Sequence, residues 1–261
     1  MMEEHLKILV PYDFSDAAKT ALEYVRDFVK EMPFAEIILG YIQPDTTTRL
    51  PEELMQDVVS AFGHSRSNPV SWELRKGDLI EGFSEIIARR GVDLLLMGTN
   101  SLHEGQLATN ASQLALQVQC PVFVIPKDSA RFRLQHIGLL IGSEPIHNKV
   151  LLGKLLNLAR AFNARVSVLT VRDTDDAYGY GPQDEANDSA FAYYLEESYS
   201  HHAFIEGDDL GKAIFTYTES NEIDLIAILP KNHAQNIQRS EGRLTKHLCE
   251  HSKTPLLVID L

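Results

Sequence analysis

The chain opens with a short apolar run, Lys7 to Val10, closed by Pro11. A run of that length bounded by a proline predicts a buried strand. Behind it Ala18, Ala21, Leu22 and Val25 recur at helical spacing, and Ser15 stands where an N-cap belongs. A second apolar run, Glu36 to Ile42, predicts strand two. Gln43 to Asn68 is polar and rich in Thr and Pro, with a helix predicted over Glu52–Phe62. Strand three covers about Val70 to Arg75, punctuated by Gly77-Asp78, and an amphipathic helix follows from Leu79 to Arg89. Leu94 to Met97, a helix over Ala111–Val118 and Val122 to Ile125 complete the pattern. Strands that are apolar throughout and alternate with helices imply a parallel sheet covered on both faces. Right-handed crossovers then give a doubly wound α/β sandwich.

The pattern occurs twice. Ile8 to Asp13 can be laid over Ile137 to Gly142, and Ile37 to Ile42 over Val166 to Val171. Gly77-Asp78 lies over Gly207-Asp208, Val92 to Leu96 over Ile223 to Ala227, and Pro121 to Ile125 over Pro255 to Ile259. The offsets are 129, 129, 130, 131 and 134, one shift with slow drift, so the repeat unit is a whole domain. The joint falls in the charged segment Lys127 to Leu134, giving domains over 1–130 and 131–261. Asp173 to Asn187, acidic and containing Gly and Tyr, reads as a surface loop of the second half.

Composition narrows the function classes. Hydrophobic residues make up 44% of the 261, enough for two cores. A net charge of −13 repels both nucleic acid and anionic membrane, so neither is expected as a partner. The start, Met-Met-Glu-Glu-His, has no basic region ahead of a long apolar core, and no run reaches membrane-spanning length. A cytoplasmic location is the resulting expectation. Cys120 and Cys249 lack metal-ligand spacing and read as buried, reduced thiols.

Ile8-Leu9-Val10-Pro11-Tyr12-Asp13-Phe14-Ser15, the Gly77-Asp78 turn, Asp93-Leu94-Leu95-Leu96-Met97-Gly98-Thr99 and Cys120-Pro121-Val122-Phe123-Val124-Ile125-Pro126 stand in the order found in universal stress proteins. The chain resembles that family as a tandem of two copies, closely in the first half and loosely in the second. The resemblance implies two five-stranded parallel-sheet α/β sandwiches of the adenine nucleotide α-hydrolase-like kind. It further implies a stress-response binding or signalling module that is not an enzyme, with at most slow ATP hydrolysis. The two halves are expected to pair through their last strands, in the manner of the homodimer of single-domain relatives, with a further homodimer left open.

One branch of the family binds ATP. There, the aspartate after strand one contacts adenine, and a loop Gly-x-x-Gly, nine residues, Gly-Ser/Thr wraps ribose and phosphates. Glycines let backbone N–H groups approach phosphate oxygens, and the helix that follows offers free amides and a positive dipole end. The residues at the corresponding positions are Pro11, Tyr12, Asp13 and Ile42 on the base side, and Met97, Gly98, Thr99, Ser101, Ala108, Thr109 and Asn110 on the loop side. Asp13 would take the base, and Gly98 with Thr109 and Asn110 the phosphates. Ser101 replaces the second glycine, Ala108-Thr109 replaces the closing Gly-Ser/Thr pair, and the loop is three residues short, with Gly105 available to slide. Those changes weaken a phosphate cradle. The alternative is an interaction scaffold without nucleotide, in which Gly98 only turns the chain and Thr109 is a plain N-cap. In the second half Gly142 replaces Asp13, Leu229-Pro230-Lys231-Asn232-His233 replaces the Gly98 loop, and Arg243 replaces Thr109. Proline has no N–H to give a phosphate, so a scaffold role is expected there.

Other chemistry is thin. His136-Ile137-Gly138 is similar to a nucleotidyl transferase signature but sits at a strand entry. His247 and His251 are four apart on a helix without an evident third ligand, and read as solvated. His201 and His202 should point apart. No Gly-x-Ser-x-Gly elbow and no Ser–His pairing is legible, and no catalytic or metal site is expected. Asp16 suits an exposed first helical turn. Trp72 is expected in the core or on a dimer surface.

Overall fold

In the first strand, β1 (Lys7–Pro11), Ile8, Leu9 and Val10 have no exposed surface at all, which is what a strand covered on both faces requires. The computed structural model describes residues 6–44, 52–63, 68–100, 108–129, 132–141, 149–172, 189, 191–207, 209–229 and 240–259. The chain divides into two compact units, the first ending at Phe132 and the second beginning at Arg133.

The first unit runs β1, α1 (Asp16–Phe28), β2 (Glu36–Gln43), α2 (Glu52–Gly63), β3 (Val70–Lys76), α3 (Leu79–Arg90), β4 (Leu94–Thr99), α4 (Asn110–Gln117) and β5 (Val122–Pro126). Its strands lie in the order β3-β2-β1-β4-β5, with every neighbouring pair parallel. The Ser15 cap is where the sequence puts it, and Asp78 adds a second. The Ser15 hydroxyl accepts from the Ala18 amide at 3.2 Å, and Asp78 caps α3 by accepting from Ile80 and Glu81 at 2.8 and 3.0 Å. Gly77 and Gly91 take left-handed conformations, φ 109° and 63°, at the two ends of α3.

Strand β4 is two residues longer than its apolar run predicts. Gly98 and Thr99 stay in register with Ile125 and Pro126, and the Lys127 amide closes the ladder on the Thr99 carbonyl at 2.9 Å. Trp72 is half-buried on the outermost strand β3. Beside it the carboxylate of Glu73 meets the guanidinium groups of Arg75, Arg89 and Arg90, tying this edge to the end of α3. The hydrogen bond to Glu73, opposed by burial, is the main reason the Arg90 pKa is raised.

The second unit repeats the plan: β6 (His136–Ile141), α5 (Lys149–Ala161), β7 (Arg165–Arg172), a 3₁₀ turn at Glu196–Ser198, β8 (Tyr199–Glu206), α6 (Leu210–Ser220), β9 (Leu225–Ile228), α7 (Ser240–His251) and β10 (Leu256–Val258). The order β8-β7-β6-β9-β10, again all parallel, is that of the first unit. Both cysteines are buried and unbridged, and burial pushes the Cys249 thiol up to about 12. Among the described residues no helix is long and apolar enough to cross a membrane.

A polar chain crosses this unit near the strand beginnings. His136, 4% exposed, has Nδ1 3.1 Å from the Asn221 carbonyl and Nε2 2.7 Å from the Ser167 hydroxyl. The same Nδ1 also lies 3.3 Å from the Arg165 guanidinium, which only donates, whereas the carbonyl only accepts. Ser167 also lies 3.2 Å from Nδ1 of His201, whose Nε2 lies 3.0 Å from the Tyr217 hydroxyl. His202 points to the opposite face, 2.6 Å from the Thr170 hydroxyl. The sequence showed no Ser–His pairing, and this one corrects it. Residues 31 apart in the chain meet only because β6 and β7 pair in parallel. Ser167 has no exposed surface, so it serves packing and cannot reach a substrate.

Burial first, and then the Arg165 guanidinium and the His201 ring, lower the pKa of His136, while the Asn221 carbonyl and Asp224 oppose them. The folded state therefore keeps His136 neutral where the unfolded chain protonates it. Stability from this source is complete above about 6.5, the unfolded value, and drains as the pH falls below it. Denaturant titrations from pH 8 to pH 5 should show the wild type losing stability on acidification, and His136→Gln should lose less over the same range.

Candidate functional site

At the end of β1 the chain leaves the sheet by a turn built from its own side chains. The Tyr12 amide still bonds the Gly40 carbonyl, 2.8 Å, as if the strand continued. The Asp13 carboxylate then accepts from the Ser15 amide at 3.0 Å, and Phe14 takes φ 67°. A left-handed phenylalanine costs about 1–2 kcal/mol. It lets the chain reverse sharply, so that Ser15 can cap α1 and Asp13 faces solvent at the turn. Only one Asp13 oxygen is engaged among the described residues.

An aromatic wall stands beside the turn. Tyr12 meets Phe14 edge-on with ring centroids 5.2 Å apart, and Phe14 meets Tyr41 at 6.1 Å. Tyr12 is 6% exposed, and burial raises its hydroxyl pKa, with Lys19 lowering it and Asp13 raising it to a smaller degree.

Opposite this wall β4 ends in Met97, Gly98 and Thr99. A Cβ on Gly98 would sit 2.0 Å from the carbonyl oxygen of Ala17, in the first turn of α1. The glycine is there because helix backbone passes directly over the strand end. Thr99 is buried and its hydroxyl donates to the Asn100 carbonyl at 3.0 Å. Thr109 begins α4 in a reciprocal cap: its hydroxyl accepts from the Ser112 amide at 3.1 Å, and its own amide donates to the Ser112 hydroxyl at 3.2 Å. This cap starts the helix at Asn110, one residue before the apolar periodicity.

These segments enclose a cleft of about 200 Å³. Pro11, Tyr12, Asp13 and Ile42 line it from the β1 and β2 side; Met97, Gly98, Thr99, Ala108, Thr109 and Asn110 line it from the β4 and α4 side. Of the residues singled out in the sequence, Ser101 falls outside the described residues, as does Gly105. The cleft opens beyond the carboxyl ends of β1 and β4, where the strand order reverses direction, the place at which open α/β sheets receive ligands.

Sequence reading missed Gly40, Tyr41, Phe83 and Asn100, which also line the cleft. Gly40 carried a signal, since an isolated glycine in an apolar strand marks a close approach. Here the Phe83 ring fills the space, 2.8 Å from where a Cβ would be. Tyr41 and Phe83 carried none.

In the second unit the counterparts Gly142 and 230–233 lie outside the described residues. Leu229, opposite Gly98 in the repeat, is buried at 2% exposure, and Arg243 is exposed on α7. His247 and His251 are not simply solvated, as the sequence reading had them. Their rings stack at 4.5 Å, and His247 also stacks on Phe215 at 5.9 Å. Among the described residues no three His, Cys, Asp or Glu side chains are placed to hold a metal ion.

A family model described as the universal stress protein family matches residues 5–126 and, separately, residues 135–260. A universal stress protein from Archaeoglobus fulgidus DSM 4304 has a similar structure, with 16% identity and a TM-score of 0.72 over 97% of this chain and 98% of that one. A functionally unknown protein from Pseudomonas aeruginosa PAO1 is similar over 99% of this chain and 94% of its own, with 14% identity and a TM-score of 0.68. A family protein from Arabidopsis thaliana with AMP bound covers 46% of this chain and 91% of its own, at 19% identity and a TM-score of 0.34. Comparison with curated proteins gives no match.

The close approach at Gly98 sets a stability prediction. Gly98→Ala forces backbone against backbone and should cost about 1–3 kcal/mol in denaturant unfolding. Gly153, in α5 with nothing within 4 Å of its added Cβ, is the opposite case. Gly153→Ala should stabilise by about 0.5–1 kcal/mol through helix propensity and unfolded-chain entropy.

Proposed function

The chain belongs to the universal stress protein family, as a tandem of two copies, and we propose that its first unit binds an adenine nucleotide while the second serves as scaffold. The observation that carries this reading is convergence. Four segments far apart in sequence, ending β1, ending β2, ending β4 and starting α4, meet on one cleft at the reversal of strand order.

The chemistry of the walls fits a nucleoside. Tyr41, Phe83 and Ile42 offer a flat apolar surface for a base, and the Asp13 carboxylate offers acceptor oxygens to an exocyclic amine. The start of α4 offers backbone amides and a positive dipole end to phosphate. Among the described cleft residues none stands out to activate a water, and the role proposed is binding and signalling under stress, in the cytoplasm, rather than turnover. Pairing of the two units, or of two chains, would carry the signal onward. An interaction scaffold without nucleotide is the second reading. It draws support from Gly98, which helix α1 requires whatever the cleft contains.

Calorimetric titration of the nucleotide-stripped full chain with AMP and with ATP separates the two. Saturable binding at one site per chain is expected for at least one of them. Asp13→Ala should weaken it about tenfold or more, as expected for losing a charged hydrogen-bond acceptor. Absence of heat from both ligands into the millimolar range would leave the scaffold reading.

A further inference from the structure

At the beginnings of the second unit's strands, away from the end that corresponds to the nucleotide cleft, lies a cavity of about 340 Å³. Small-molecule clefts run to roughly 300–1,000 Å³. The end of α5 and the start of β7 supply Arg160, Asn163 and Arg165, and the 3₁₀ turn before β8 supplies Glu196, Glu197 and Ser198. The lining therefore carries two guanidinium groups, two carboxylates and two uncharged polar side chains. Arg160 is engaged with Glu196. Glu196 itself is held at φ 47°, a left-handed conformation that is costly for a residue with a side chain and that clusters at ligand sites.

Arg165 connects this cavity to the buried polar chain. It is the register partner of His136 in the β6–β7 ladder, and its guanidinium lies 3.3 Å from Nδ1 of that ring. The same Nδ1 lies 3.1 Å from the Asn221 carbonyl. One ring nitrogen cannot serve both. Bare, it accepts from Arg165 and leaves the carbonyl; protonated, it donates to the carbonyl and leaves the guanidinium. The choice also sets the direction of every bond beyond it. With Nδ1 bare, Nε2 donates to Ser167, Ser167 donates to Nδ1 of His201, and Nε2 of His201 donates to the Tyr217 hydroxyl. With Nδ1 protonated, all three run the other way. Ser200, 3.2 Å from the same His201 nitrogen, has a hydroxyl that turns to suit either. A charged donor makes the stronger hydrogen bond, so Arg165 holds Nδ1 bare until its guanidinium is drawn off. A carboxylate in the cavity, taken in bidentate fashion, is the group that draws it off.

We propose that this cavity binds a small zwitterion of the polar amino acid class, with the ligand carboxylate on Arg165 and the ligand ammonium on Glu197. The two signs in the lining favour a ligand that carries both over a simple anion, which would face the Glu197 carboxylate. Asn163 and Ser198 offer hydrogen bonds to a polar side chain. Binding releases His136 to the Asn221 carbonyl and reverses the chain of hydrogen bonds out to Tyr217. The second unit, a scaffold with respect to nucleotide, then has a ligand of its own, independent of any nucleotide in the first.

The test is NMR of the histidine ring nitrogens in the full chain, titrated at constant ionic strength with L-serine and L-glutamine, beside acetate, ethylamine and inorganic phosphate. His136→Gln identifies the His136 signals. Both amino acids are expected to give saturable shifts, with Nδ1 of His136 moving from a bare to a protonated nitrogen and Nε2 doing the reverse. Acetate should do the same about tenfold more weakly, the worth of one lost charge contact. Arg165→Gln should show the protonated Nδ1 with no ligand present and no response to either amino acid. Glu197 is exposed, so Glu197→Gln keeps the test decisive if the first variant fails to fold. It should weaken both amino acids by about threefold to tenfold without weakening acetate. No saturable shift with either amino acid into the millimolar range, phosphate binding as tightly as they do, binding that leaves the His136 nitrogens unchanged, or amino acid binding untouched by Glu197→Gln overturns the proposal.

Discussion

Helix α1 lies so close over the end of β4 that no side chain fits between them. The carbonyl of Ala17 lies 2.0 Å from where a Cβ of residue 98 would be, and both residues line the cleft. Both ends of the helix are held. At its start are the Asp13 turn, the Ser15 cap and the left-handed Phe14. At its far end Tyr24 and Phe28 pack on Phe123 and Phe132 with ring centroids 4.8–6.1 Å apart. Phe28 is fully buried, and truncating such a ring costs about 3–5 kcal/mol. The strain at Phe14, about 1–2 kcal/mol, is smaller. The aromatic clamp therefore outweighs the turn's strain, and the turn can keep the geometry that sets Asp13 at the cleft mouth.

The two units share strand order and differ in where their polar groups go. The first places hydroxyls, amides and one carboxylate at the carboxyl ends of its strands, around the cleft. The second has a buried leucine, Leu229, at the position of Gly98, and concentrates polar side chains near the opposite end, from His136 through Ser167 and His201 to Tyr217. Buried polar groups cost stability unless paired, and each link of that chain is paired. A fold that needs only apolar strands and capped helices tolerates this divergence. The ladder and the core are indifferent to which strand ends carry chemistry.

Much of this was legible in the residues themselves. The period of the apolar runs gave the strands to within one or two positions, because a strand buried on both faces must be apolar throughout, as Ile8 to Val10 and Leu94 to Leu96 are. The cap at Ser15 was readable because a cap is a local hydrogen bond, made within three residues. The recurring offset near 129 gave the repeat. The residues Pro11 to Asp13, Met97 to Thr99 and Ala108 to Asn110 could be gathered into one candidate site because they follow strand ends or open a helix.

What the sequence left open needed contacts between distant positions. Nothing near residue 98 says that Ala17 will be its neighbour, so the glycine looked like a loop residue for phosphate when helix packing demands it first. Ser112, read as part of a helix, turned out to exchange hydrogen bonds with Thr109 in a reciprocal cap. The pairing of Ser167 with His136 and His201 exists only once three strands are in register. Local hydrogen bonds and periodicity are written in adjacent residues. Close approach, shared donors and buried polar chains depend on which distant segments the sheet brings together, and the chain by itself does not state that.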